Sequence, residues 1–392
     1  MELRRFLPLA AGVAAVLATA VPATASTAPI QLTMPAPTGP DAIGTVSLHL
    51  VQAGRPDPWV PGQTRELMVS LWYPARHADR YPTVPYMTPG AWSSFEHNRG
   101  IPADSVVVPQ TAGHDGAPVD RHPGGLPVIL YSPPSTGDRA VNTALVQELA
   151  SRGYLVATVD HTYSDDEVEF PDGRVAQRVL PNDQTLQQLT DEVAERDKDT
   201  RFLLDELTAI DHGANPDAER HPLPQGLCGA LDLNRVGMFG HSLGGATTFA
   251  TMLDDPRIKA GVDMDGTLFG PVVTAGLNRP AMLLAHQDKT RDTDPSWGPF
   301  WNASTGWKRD FQLQGSRHLS YSDAEVIFPQ TASVMGLTPV QLAAIIGTID
   351  PARAIKVQSS YVDAFFELHL RHHDEHLLDG PSPRFPEMLF QP

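Results

Sequence analysis

Cysteine is almost absent from this chain: Cys228 is the only one among 392 residues. A disulfide within the chain is therefore excluded, and stability has to come from a packed core. Positive charge is also short, with 29 Lys and Arg against 46 Asp and Glu and a net charge of −17. No basic stripe interrupts that balance, so nucleic acid and anionic membrane surfaces are disfavoured as partners. Long apolar runs are missing too, because the stretch from Phe6 to Val21 is shorter than the roughly 20 residues a bilayer span needs. Proline, by contrast, is abundant, with 37 residues. They are scattered between apolar runs, which points to long ordered loops on a large globular fold instead of disorder.

Arg4 and Arg5 precede the Phe6 to Val21 stretch, and Ala23-Thr24-Ala25 places small residues at both positions that a signal peptidase reads. Residues 1–25 are therefore expected to be a secretory signal peptide cleaved after Ala25, leaving 26–392 as one secreted domain. An uncleaved N-terminal anchor is the rival reading.

Beyond the proline-rich leader, residues 26–66 are expected to end in a first strand. Thr45 to Val51 and Arg65 to Tyr73 alternate apolar and polar residues as a half-buried hairpin would. Residues 74–127 read as an irregular insertion dense in Pro and Gly. From Val128 the pattern changes to strands at Val128 to Tyr131, Tyr154 to Val159, Arg235 to Phe239, Ala260 to Asp265, Ala281 to Ala285 and Trp307 to Leu313. Helical periodicity falls between and after them, at Ala140 to Ala150, Gln184 to Ile210 and Pro351 to Arg371. Strands alternating with helices imply an α/β fold with a mainly parallel central sheet, helices on both faces, and sites at the carboxyl ends of the strands.

Gly240-His241-Ser242-Leu243-Gly244 is a Gly-x-Ser-x-Gly pentapeptide. Such a pentapeptide arises by chance in roughly one chain in eight of this length, so it carries little weight alone. Its flanks carry more. The apolar strand Val236 to Phe239 runs into it, and a helix with Ala246, Phe249, Ala250 and Leu253 on one face leaves it. This is the strand-turn-helix of a nucleophile elbow, in which glycines are needed because side chains would clash. A serine hydroxyl becomes nucleophilic only when a histidine takes its proton, and that histidine needs a carboxylate to hold its tautomer. In this type of fold the two follow the serine as acid, then histidine. His318 is placed in a loop past a strand, Gly315-Ser316-Arg317-His318, where it can reach over the sheet edge. His286, at the end of the preceding strand, suits a structural role. His369, His372, His373 and His376 show i,i+4 spacings that a metal pair would use, but a solvated helix end is the simpler reading and no metal is expected. Asp265, Asp288 and, more weakly, Asp263 compete for the acid; spacing alone does not decide. His241, beside the nucleophile, is expected either to brace the turn by a hydrogen bond or simply to pack.

The run from Gly240 to Thr247, followed by Gly261-Val262-Asp263-Met264-Asp265-Gly266-Thr267-Leu268-Phe269, resembles the platelet-activating factor acetylhydrolase family of secreted α/β-hydrolases. Leu67 to Ala75, Leu149 to Tyr154 and Asp199 to Asp205 extend the resemblance over most of the mature chain. It implies Asp265 as the acid and His318 as the base. The family's His-Gly before the first oxyanion donor is replaced here by Ser132-Pro133-Pro134-Ser135-Thr136-Gly137. Neither proline can donate, so the alignment implies the backbone N–H of Ser135, paired with that of Leu243.

These residues together predict ester hydrolysis through an acyl-enzyme at Ser242, with no metal or organic cofactor. The resemblance implies short-acyl phospholipid esters, with broader lipid or polyester hydrolysis and acyl transfer as alternatives. Trp297, Phe300, Trp301 and Trp307 are candidates for an acyl pocket or a transient lipid-surface contact, against the simpler reading that they pack. No obligate protein partner is expected. The leader carries its own test. Sequencing the N-terminus of the exported protein should return Ser26 first, and retention of Met1 would favour the anchor.

Overall fold

Apolar residues at every position from Val128 to Tyr131 require a strand covered on both faces. The computed structural model, which describes residues 28–392, supplies that cover. The expected signal peptide, residues 1–25, lies outside the described residues. An eleven-stranded sheet forms the centre. In chain order its strands are β1 (Ile43–Pro56), β2 (Thr64–Pro74), β3 (Thr83–Pro85), β4 (Gln110–Asp115), β5 (Leu126–Ser132), β6 (Leu155–Val159), β7 (Leu231–His241), β8 (Ile258–Met264), β9 (Ala281–His286), β10 (Lys308–Leu313) and β11 (Met388–Gln391). Across the sheet they run β11-β10-β9-β8-β7-β5-β6-β2-β1-β4-β3. The block from β10 to β6 is parallel. Antiparallel β11 closes one edge, and β2 continues the other. This is the α/β-hydrolase fold.

Five helices bear on the site: α1 (Pro89–Arg99), α2 (Thr143–Ser151), α3 (Leu186–Asp211), α4 (Leu243–Asp254) and α5 (Pro351–Leu370). Alternation along the strands sorts side chains between two cores. Val128, Leu130, Val236 and Met238 join Leu203, Leu207 and Phe249 of α3 and α4 on one face. Ile129, Tyr131 and Phe239 join Leu145, Leu149, Phe365 and Phe366 of α2 and α5 on the other. Gly237 makes the second core possible, because a Cβ there would lie 2.5 Å from the Phe366 ring.

Two expectations change. The strand from Arg65 to Tyr73 is buried except at half-buried Glu66, because both faces of β2 are covered, with Leu67, Val69, Leu71 and Tyr73 in one core and Trp72 in the other. Residues 74–127 are not irregular: they carry β3, α1 and β4. Here Pro and Gly mark the ends of an element instead of its absence. Pro89 opens α1 at its first position, and Gly100 closes it with φ 70°, a left-handed conformation that suits glycine. Pairing of Ile30–Gln31 with Val106–Val107 then ties the leader to this segment.

Replacing Phe366, which is fully buried, by Ala should lower the unfolding free energy by about 3–5 kcal/mol in urea titrations. Leu186→Ala, at a position 71% exposed, should change it by less than about 0.5 kcal/mol. Equal effects would contradict this division of the core.

Candidate active site

β7 ends at His241 and α4 begins at Leu243, leaving Ser242 alone at the turn with φ 56° and ψ −120°. Positive φ is costly for a residue with a Cβ and persists only where the surroundings over-determine it. Here they do. A Cβ on Gly240 would overlap the Gly244 backbone, and one on Gly244 would overlap the carbonyl oxygen of Ser132. The Ser242 N–H donates to the Met264 carbonyl at 2.9 Å, tying the turn to β8. Leu243 is the first helical residue, so its N–H has no acceptor within the helix and lies at the positive end of the helix dipole.

Asp265 follows β8 directly and also takes positive φ, 63°, with its N–H donating to the Leu284 carbonyl of β9. His318 opens a short 3-10 turn beyond β10. Its Nδ1 lies 2.6 Å from Oδ2 of Asp265, and its Nε2 lies 3.0 Å from Oγ of Ser242. A carboxylate can only accept, so Nδ1 carries the proton and Nε2 is free to accept from the serine. Ser242, His318 and Asp265 thus meet in the order that acyl transfer to serine requires.

The competing carboxylates lie elsewhere. Asp288 is 58% exposed and pairs with Arg317. Asp263 is fully buried, and its Oδ1 accepts from the Gly266 N–H at 2.8 Å. Burial pushes its carboxyl well above the usual range, against the nearby Lys289 charge, and its Oδ2 has no hydrogen-bond partner.

His286 has a role that the sequence did not reveal. Its Nδ1 stands 2.8 Å from both oxygens of Asp265, and its backbone N–H donates to Oδ1 at 3.0 Å. Burial alone would raise the Asp265 carboxyl. Hydrogen bonds from His286 and His318, with the charge of Lys289, outweigh it and hold the group well below the carboxylate range. Lys289 also donates to the carbonyls of Asp265 and Gly266, at 3.1 and 2.7 Å.

His241 is fully buried, and its Nε2–H donates to the backbone carbonyl of His318 at 2.9 Å. It therefore braces the histidine loop more than the serine turn. Burial, and then the charge of His318, lower its pKa to about 3.

Ser135, Ser242 and Leu243 face one open cleft of about 590 Å³. Leu189, Phe269 and Pro295 supply apolar wall, while Asp288, Lys289 and Asp294 make the far side polar. The four aromatics considered for an acyl pocket pack instead. Trp297 and Phe300 are fully buried, with the Trp297 indole N–H donating to Gly266 O at 2.6 Å. Trp301 lies under Arg291 and Lys308, and Trp307 lies against Phe365 and His369.

The late histidines do not form pairs on a helix face, because α5 ends at Leu370 and His372 turns to positive φ. His369 packs on Trp307, and burial lowers its pKa to about 4. Among the described residues, three groups bring metal-capable donor atoms together: Asp265, His286 and His318; Asp217, Glu219 and His221; Asp374, His376 and Asp379. The first is already saturated by its own hydrogen bonds.

The family model for platelet-activating factor acetylhydrolase, isoform II, matches residues 105–380. A protein of Arthroderma benhamiae named "Probable 1-alkyl-2-acetylglycerophosphocholine esterase" is 30% identical over 94% of this chain and 96% of its own. Platelet-activating factor acetylhydrolase of Cavia porcellus is 24% identical over 86% of this chain and 78% of its own. Among solved structures, a ferulic acid esterase from Streptomyces cinnamoneus superposes with a TM-score of 0.77 at 35% identity, covering 92% of this chain and 99% of that one.

The His241 environment sets a pH dependence. Unfolded, this ring titrates near 6.5; folded, near 3. Between those values the unfolded chain binds the extra proton, so this group's contribution to stability falls as pH falls. Against a His241→Gln variant, wild type should lose ground on acidification from pH 6 to pH 4, by at most about 1.4 kcal/mol per pH unit. Paired urea titrations at the two pH values check this; parallel curves would contradict it.

Proposed function

The chain belongs to the platelet-activating factor acetylhydrolase family and is a carboxylic ester hydrolase, and on that footing we propose that it cleaves short-acyl phospholipid esters through an acyl-enzyme on Ser242. The observation that carries the proposal is the unbroken run from Ser242 Oγ to His318 Nε2 at 3.0 Å, and from His318 Nδ1 to Asp265 Oδ2 at 2.6 Å.

In the proposed cycle Ser242 Oγ attacks the ester carbonyl carbon while His318 Nε2 takes its proton. The carbonyl oxygen becomes an oxyanion and accepts from the N–H groups of Leu243 and Ser135. Each such donor is worth about 2.7–4 kcal/mol in the transition state. Collapse breaks the bond to the leaving alcohol, which takes the proton from His318. Water then attacks the acyl carbon, again losing its proton to Nε2, and the carboxylic acid departs as Ser242 regains its hydrogen. Asp265 remains ionised throughout and stabilises the imidazolium.

A short acyl group suits the cleft, whose apolar wall near Ser242 is limited to Leu189, Leu243, Phe269 and Pro295. The acetyl group in the name of the Arthroderma relative points the same way. Leu186, 71% exposed and one turn before Leu189, would give the cleft rim a transient hold on a lipid surface. A hydroxycinnamoyl ester is the second reading, favoured by the ferulic acid esterase likeness and by Phe269 beside the nucleophile. Residues 26–392 would act as one secreted domain. Among the described residues no helix is long and apolar enough to cross a membrane.

A fluorophosphonate should label the wild type and fail on Ser242→Ala; equal labelling would refute the nucleophile. Asp265→Asn should lower kcat by about a thousandfold or more, since the wrong histidine tautomer results, while Asp288→Asn should stay within about twofold. Reversal of the two would move the acid to the end of β9. Rates on 2-acetyl phospholipids, longer 2-acyl phospholipids and methyl ferulate then separate the two substrate readings, with the acetyl ester expected to be fastest.

A further inference from the structure

The loop expected to hold one oxyanion donor begins with two prolines, so it is short of N–H groups but keeps all its carbonyls. Each carbonyl from Pro133 to Gly137 is met by a donor. Arg196 Nη1 donates to Pro133 O at 2.7 Å, and the Gly137 N–H donates to Pro134 O at 3.2 Å. Arg178 Nη1 donates to Ser135 O at 2.7 Å, Arg99 donates to Thr136 O, and the Asp166 N–H donates to Gly137 O at 3.3 Å. Three guanidinium groups from three parts of the chain thus converge on five residues: Arg99 ends α1, Arg178 follows the small hairpin of Glu167–Glu169 and Val175–Gln177, and Arg196 lies in α3.

The arginines are themselves fixed. Glu192, fully buried in α3, accepts from Ser164 Oγ at 2.6 Å, from Gln184 at 2.8 Å, and from Arg178 and Arg196 at 3.3 Å each. Arg196 also pairs with Asp165 at 2.7 Å, and Arg99 with Asp166 at 3.4 Å. At the root of the loop, Ser132 Oγ–H donates to His161 Nε2 at 2.9 Å, and His161 Nδ1–H donates to Asp199 at 2.9 Å. This copies a Ser-His-Asp relay, but all three residues are fully buried, so no substrate reaches it. Burial lowers the His161 pKa to about 4, and the ring serves as a neutral strut.

We propose that Arg178 and Arg196, coupled through Glu192, are positioning residues that fix the peptide plane carrying the Ser135 N–H and so set the strength of the oxyanion hole. The inference rests on the reading of Ser242 as nucleophile with Ser135 and Leu243 as donors. The Ser135 N–H shares its plane with the Pro134 carbonyl, and the carbonyls on either side, Pro133 and Ser135, are pinned by buried charge. Turning the N–H away from the cleft would break a charge-assisted hydrogen bond, buried at Pro133 O and part-buried at Ser135 O. Lysine cannot match Arg178, whose planar fork reaches Ser135 O and Ser164 O through Nη1 while Nη2 reaches Gln184 and Glu192. The guanidiniums thereby supply the order that the two prolines deny the loop.

The test compares full-length wild type with Arg178→Gln and Arg178→Lys on p-nitrophenyl acetate and on an alkyl trifluoromethyl ketone, a reversible inhibitor whose serine adduct carries an oxyanion. For Arg178→Gln, kcat should fall by about tenfold to a hundredfold. The inhibition constant should weaken by a similar factor, with KM within about twofold and the pH profile unmoved. Arg178→Lys should lose activity nearly as far, despite its charge. A folded Arg178→Gln enzyme with unchanged kcat and inhibitor affinity would overturn the proposal, as would a loss confined to KM or accompanied by a shifted pH profile. If Arg178→Gln does not fold, Arg178→Lys, which keeps the charge, is read in the same way, and an unchanged kcat and inhibition constant overturn the proposal. Fluorophosphonate labelling of wild-type Ser242 keeps the two questions apart. Absent labelling removes the nucleophile reading itself, whereas normal labelling with unaffected arginine variants removes only the clamp.

Discussion

The first turn of α4 lies directly on the end of β5: a Cβ on Gly244 would overlap the Ser132 carbonyl oxygen and stand 2.8 Å from that of Pro133. That contact brings the Ser242 turn against the loop holding Ser135, so the proposed nucleophile and oxyanion donor share one cleft. Strand order does the rest. β7 sits between β5 and β8, which places the serine between the Ser132–Gly137 loop on one side and Asp265 on the other. A wider approach would separate all three.

Electrostatics around the turn follow from burial and partner, and the histidines show how far these can separate identical side chains. His318 bridges Asp265 and Ser242; His286 doubles the hydrogen bonding on the same carboxylate; His241, deep and neutral, holds the loop of His318 from below. On the other side of the serine, buried Arg196 and part-buried Arg178, with their carboxylates, surround the proline-bearing loop. Buried ion pairs of this kind are weak contributors to stability, since desolvation offsets much of the attraction. Their value here is directional: they hold backbone groups in place without occupying the cleft.

The sheet and the Ser242 turn were legible because both rest on local signals, apolar strands of regular spacing and glycines around a strand-to-helix turn. The acid was not legible from spacing, because Asp263, Asp265 and Asp288 all sit at strand ends and only the fold decides which one faces His318; the family resemblance supplied that choice. Three things stayed hidden for a common reason, that their partners are far away in sequence. His286 reaches back to Asp265, Arg196 reaches back to Pro133, and Phe366 packs against Gly237. Trp297 and Trp307 showed their size in the sequence but not their direction, and both turn into the protein. Pro89 and Gly100 fall within the 74–127 stretch expected to be irregular, though their positions are those of a helix start and stop.

All of this turns on a covalent ester at Ser242. Mass spectrometry of peptides from enzyme quenched with acid during turnover of p-nitrophenyl acetate tests it most directly. An acetyl group on the peptide containing Ser242, absent from Ser242→Ala and persisting longer when His318 is replaced by Ala in enzyme acylated at high substrate, is the predicted result. Turnover with no acetyl on that peptide, or acetyl on another residue that disappears at the rate of turnover, would contradict it.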